Sequence, residues 1–85
     1  MNQILKDSVY GMGTRKQAMF MADIGGMNEE ERNVFYMLHE KKTDMIIQEE
    51  LGLSRKAFER IESSVRAKLL LAVFQCINNY MDECN

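Results

Sequence analysis

The feature that most limits how this chain can fold runs from Ser54 to Ile77. Over that span Phe58, Ile61, Val65, Leu69, Val73 and Ile77 recur at intervals of three and four residues, and neither glycine nor proline interrupts them. A 3.6-residue repeat puts such positions on one side of an α-helix, whereas a half-buried strand would alternate. The pattern predicts a single helix of more than about five turns, capped at its start by Ser54 and meeting no stop before Asn78-Asn79.

In a chain of 85 residues a helix of that length leaves room for a few short elements and one modest core. Proline is absent, 46% of the residues are apolar, and Met, Leu and Ile outnumber β-branched and turn residues, all of which favours helices. Three further starts are legible upstream. Thr14 and Gln17 have the spacing of a capping box and open a short helix through Met19, Phe20 and Ile24, ended by Gly25-Gly26. Asn28 and Glu31 repeat that spacing, with Glu29, Glu30 and Glu31 in a first turn that favours negative charge. This second helix carries the stripe Val34, Phe35, Leu38 to about His39-Glu40, where the dipole suits a histidine. A third begins near Thr43 or Asp44, bears Ile46, Ile47 and Leu51, and breaks at Leu51-Gly52-Leu53. The expected fold is all-α, a bundle of four to five helices in one domain.

Several function classes are set aside on the same grounds. No apolar run approaches the roughly 20 residues that span a bilayer, and Met1 to Tyr10 lacks the pattern of a signal peptide, so a cytoplasmic protein is expected. Cys76 and Cys84 lie on one helix with Cα atoms about 12 Å apart along its axis, too far for a disulfide between them. Two reduced thiols are the expectation, and with His39 far away no metal site is. Gly11-Met12-Gly13 has neither the preceding strand nor the GK[ST] of a phosphate loop. No nucleophile and base are paired by spacing. Neither an enzyme nor a cofactor is expected.

The net charge of −2 is unevenly spread. Residues 51–71 carry +3, from Arg55, Lys56, Arg60, Arg66 and Lys68 against Glu59 and Glu62, while residues 28–50 carry −4. One face of an acidic protein can still meet phosphates if its cations are gathered there.

From Asp44 to Ile61 two helices joined by a tight glycine turn give the helix-turn-helix spacing, with Gly52 supplying positive φ. Ile47, Leu51, Leu53, Phe58 and Ile61 are the positions that must face inward to hold such a pair, and all five are apolar. Gln48 departs from the small residue usual at the close approach.

The run Ile47-Gln48-Glu49-Glu50-Leu51-Gly52-Leu53-Ser54-Arg55, followed by Phe58, Ile61-Glu62 and Lys68-Leu69, resembles the fourth conserved region of bacterial RNA polymerase sigma factors. Met27 to Phe35 is similar to the helix preceding that motif, and LuxR-type regulators share much of the spacing. The resemblance covers about residues 27–70, leaving an N-terminal helical extension over 1–26 and a C-terminal helix extension over 71–85. It implies that the helix starting at Ser54 enters the major groove of duplex DNA, with Ser54, Arg55, Lys56, Glu59 and Arg60 at the bases. Arg55 matches the family. Lys56 stands where the family has glutamate and Glu59 where it has arginine, an exchange of charge that argues against the consensus promoter element. Arginine or lysine can still donate to guanine and glutamate accept from cytosine. Lys41, Lys42 and Thr43, before the third helix, are placed to meet phosphates.

Leu69 to Ile77 is apolar nearly all round, which an exposed helix end cannot be. Either the segment Met12 to Ile24 covers it or a second copy does. The expected dimer interface is Leu70, Val73, Phe74 and Ile77, and LuxR-like regulators imply pairing through a terminal helix. Sequence-specific DNA binding by a homodimeric transcription regulator is the expected function, with RNA polymerase as a further partner. A chain of this length has no room for the promoter-opening region of a complete sigma factor. The alternative is a protein-interaction module, a co-regulator or antagonist contacting RNA polymerase without touching DNA.

Overall fold

The computed structural model describes residues 9–84, with the side chains of 9–78. It is all-helical: α1 is Arg15–Gly25, α2 Glu29–His39, α3 Asp44–Leu51 and α4 Arg55–Cys84. Among the described residues there is no strand, and no helix is long and apolar enough to cross a membrane.

Each helix begins where a short polar side chain can take over an orphan amide. Thr14 Oγ1 accepts from the Gln17 amide at 3.2 Å while Gln17 Oε1 accepts from the Thr14 amide at 2.8 Å, closing the first capping box. Asn28 and Glu31 close the second with both bonds at 2.8 Å. Thr43 Oγ1 accepts from Ile46 and Ser54 Oγ from Ala57, at 3.4 and 3.1 Å. Such caps typically contribute about 1 kcal/mol each.

The ends of α1 and α3 turn on Gly26 and Gly52, both left-handed. The end of α2 does so without a glycine. Lys41 adopts φ 67°, and the Lys41 and Lys42 amides donate back to the Leu38 and Met37 carbonyls. That is the Schellman pattern, with lysine carrying a left-handed backbone that costs an L-residue roughly 1–2 kcal/mol.

The core is one cluster, drawn from every helix. Val34, Phe35, Met37 and Leu38 of α2, Ile47 of α3 and Phe58, Ile61 and Val65 of α4 are buried, and Leu51 and Leu53 pack on it half-buried. Of the five positions expected to face inward, three are buried and two line the edge. Tyr10, in helical conformation before α1, stacks edge-on to Phe35 with ring centres 6.3 Å apart. His39 Nδ1 donates to the Tyr10 carbonyl at 2.8 Å and ties the start of the described chain to the last turn of α2.

Two expectations are corrected here. The buried side of α1 is Ala18, Ala22 and Gly25, while Met19 and Phe20 are exposed and Ile24 is half-buried. Small residues win because α1 lies too close to α4 for large ones: a Cβ at Gly25 would stand 2.6 Å from the Lys68 carbonyl oxygen. On α3, Ile46 is exposed and Ile47 alone is buried. α4 runs past Asn78-Asn79 to Cys84, in line with the expected C-terminal helix extension. Asparagine costs a helix well under 1 kcal/mol relative to alanine, too little to end one already six turns long.

α4 has two halves. Its first four turns bury Phe58, Ile61, Glu62 and Val65 against the other helices. Beyond Ala72, fully buried, contact fades. A 30-residue helix is about 45 Å long, close to the molecule's longest extent of 47 Å, while the other two extents are 23 and 21 Å. The second half of α4 therefore projects beyond the body.

Candidate functional site

The start of α4 is presented to solvent along one side. Ser54, Arg55, Lys56, Glu59 and Arg60 are all exposed, while Phe58 and Ile61 turn to the core. Positions 55, 56, 59 and 60 recur every turn, so the helix repeat alone places them together. Arg55 Nε donates to Glu59 Oε1 at 3.1 Å, an exposed pair worth a few tenths of a kcal/mol that either member can leave. Among the described residues Lys56 and Arg60 have no ion-pair or hydrogen-bond partner. The α4 start thus offers two uncommitted cations, a third on a loose tether, and one carboxylate beside them.

The other expected positions are more fully used. Lys42 reaches Glu50 at 3.1 Å and Glu40 at 3.8 Å. The Thr43 hydroxyl is engaged as the cap of α3, and Asp44 in the first turn already supplies the negative charge that this helix start favours. Lys41 is exposed, held at its fixed left-handed corner. Asp44 shares a polar cleft with Arg55, Glu59, Glu62 and Arg66, which places the start of α3 beside the early turns of α4.

The +3 stretch does not form one basic face. Arg66 pairs with the buried Glu62 one turn back. Lys68 donates to Glu31 Oε1 at 2.6 Å and to the Gly26 carbonyl at 3.3 Å. Glu31 sits buried where α2 starts against α4, and Ser64 Oγ donates to its second oxygen. Burial alone would raise the Glu31 carboxyl from its usual 4.5. Hydrogen bonds from Lys68, Ser64 and the Asn28 amide, with the charge of Lys68, reverse that and hold it at about 2. This network locks α2 onto α4 from within. Sequence reasoning counted Lys68 as surface charge, yet the signal was there: Ile61, Val65, Lys68 and Ala72 share one stripe, and a cation in a buried stripe requires an acid.

Leu70, Val73, Phe74 and Ile77 stay exposed at 71, 40, 61 and 52%. α1 therefore does not cover them. Beside them Val9, Met12, Met21, Leu69, Leu70 and Val73 line an open apolar groove of about 610 Å³. Cys76 is a half-buried free thiol, and the Cys84 side chain lies outside the described residues.

No protein-family model, curated protein or solved structure matches this chain.

Proposed function

We propose that α3, the Gly52 turn and α4 form a helix-turn-helix of the kind found in the fourth region of sigma factors, and that the chain is a DNA-binding transcription regulator. One observation carries the reading: Lys56 and Arg60 stand uncommitted, with Arg55, on the solvent side of the first turns of α4. A helix start of this kind fits the major groove, where arginine and lysine donate to guanine and Glu59 accepts from cytosine. Lys41, at the corner before α3, contributes a phosphate contact. Lys42 contributes one only by leaving Glu50, so its share is smaller.

Genomic-fragment selection with purified protein, read as a salt-dependent gel shift, tests this. Arg55→Ala should cost roughly 1–3 kcal/mol on a selected site. The triple alanine variant at Arg55, Lys56 and Arg60 should also flatten the salt slope by up to about three units. Unchanged affinity in the triple variant overturns DNA binding. The second reading, a protein-interaction module contacting RNA polymerase, draws on the exposed acids Glu49 and Glu50 of α3 and Glu59 of α4. They would repel phosphates and suit a basic protein partner.

A further inference from the structure

We infer that the projecting half of α4 pairs with the same segment of a second copy in an antiparallel, two-fold arrangement, and that the end of each arm lies against the other copy's apolar groove. The proposal is independent of DNA binding. Its first support is self-complementarity. One molecule displays both an apolar arm (Leu70, Phe74 and Ile77, each more than half exposed) and an apolar groove at that arm's root. A single two-fold operation covers both, as an isologous contact must.

The second support is register. Leu70, Phe74 and Ile77 follow intervals of four and three, and the sequence continues them to Met81 and Cys84. That is the spacing of a coiled-coil seam. It is also symmetric about the bond between Gln75 and Cys76. Antiparallel pairing about that point sets Leu70 opposite Met81 of the second copy and Phe74 opposite its Ile77, so every layer is apolar. Val73, 40% exposed, flanks the seam on the groove side. The last turns of the incoming helix arrive at Leu70, where the groove opens.

Charge selects the direction. The sequence places Asp82 and Glu83 at one end of the segment and Arg66 at the other, Lys68 being held within the fold by Glu31. Antiparallel pairing brings the acidic end of each arm beside the basic end of its partner, and Arg66, half exposed, retains donors for it. Parallel pairing would set like charges together at both ends, which is unfavourable.

Sedimentation at micromolar concentration should show a species of twice 9.9 kDa. Phe74→Glu and, separately, Ile77→Glu should weaken association by at least about 100-fold, because each places two carboxylates in the seam. Both side chains are exposed in one copy, so the far-ultraviolet spectrum should be unchanged. Orientation is read from a spin label on Ser63→Cys, with Cys76 and Cys84 replaced by serine. Two labels 12.5 residues from the axis lie about 37 Å apart in the antiparallel pair, against about 10–15 Å in a parallel one. A single species of 9.9 kDa, an undiminished dimer in both glutamate variants, or the short label distance each overturns the proposal.

Discussion

Gly25→Ala should destabilise this protein, although helix propensity alone predicts the opposite. In an exposed helix interior, alanine in place of glycine gains about 1 kcal/mol. Gly25, however, is buried at the end of α1 where that helix meets the backbone of α4. A Cβ there would stand 2.6 Å from the Lys68 carbonyl oxygen and 3.1 Å from its carbon, whereas ordinary contact begins at 3.4 Å. Both obstructing atoms belong to the main chain of a helix, so no rotamer change removes them. The helices must part by about 0.8 Å, enough to forfeit a quarter to a half of the dispersion between the surfaces they share. Overpacking of this kind costs about 1–3 kcal/mol, and after the propensity gain the net loss is up to about 2 kcal/mol. For a domain of this size that lowers Tm by up to about 15 °C.

Thermal and urea unfolding followed by circular dichroism measure it, with Gly26→Ala as the control. At Gly26 nothing lies within 4 Å of an added Cβ, but φ is 71°, so its cost is left-handed strain alone. Asparagine, which tolerates that conformation, should recover part of the loss at Gly26 and none at Gly25. A Gly25→Ala protein more stable than wild type would refute the close approach of α1 and α4.

Two further outcomes follow from the core and the buried ion pair. Phe58→Ala should cost roughly 3–5 kcal/mol in the same assay, since the ring is 2% exposed at the centre of the cluster, and a Tm that barely moves would refute that placement. Glu31, held at about 2 in the fold against 4.5 when free, contributes stability that is full above the free value and is lost as pH falls from about 4.5 through 2. That window is worth at most about 3 kcal/mol and should flatten in Glu31→Gln, measured as urea midpoints across the acid range.

Helix starts were legible because a cap is a local bond. Thr14, Asn28, Thr43 and Ser54 each reach an amide three residues on, and no distant part of the chain alters that geometry. Gly26 and Gly52 marked two helix ends for the same reason. Lys41 did not mark the third, because nothing in a lysine announces a left-handed backbone. The exposed row Arg55, Lys56, Glu59 and Arg60 was equally readable, being fixed by the helix repeat once Phe58 and Ile61 face inward.

What the sequence could not settle was which partners those side chains would find. The bond of Lys68 to Glu31 spans 37 residues and exists only because α2 docks on α4. It and the Arg66–Glu62 pair reduce a nominal block of five cations to two uncommitted ones and a tethered third. The buried side of α1 was misread for a related reason. Met19, Phe20 and Ile24 have the larger hydrophobic gain, but burial there is limited by the distance between two backbones, and only Ala18, Ala22 and Gly25 fit. Local sequence determined where helices begin, how they repeat and which face of α4 carries charge at its start. Tertiary packing decided which charges are spent, which helix faces touch and which apolar surface is left over, because each depends on a distance between segments far apart in the chain.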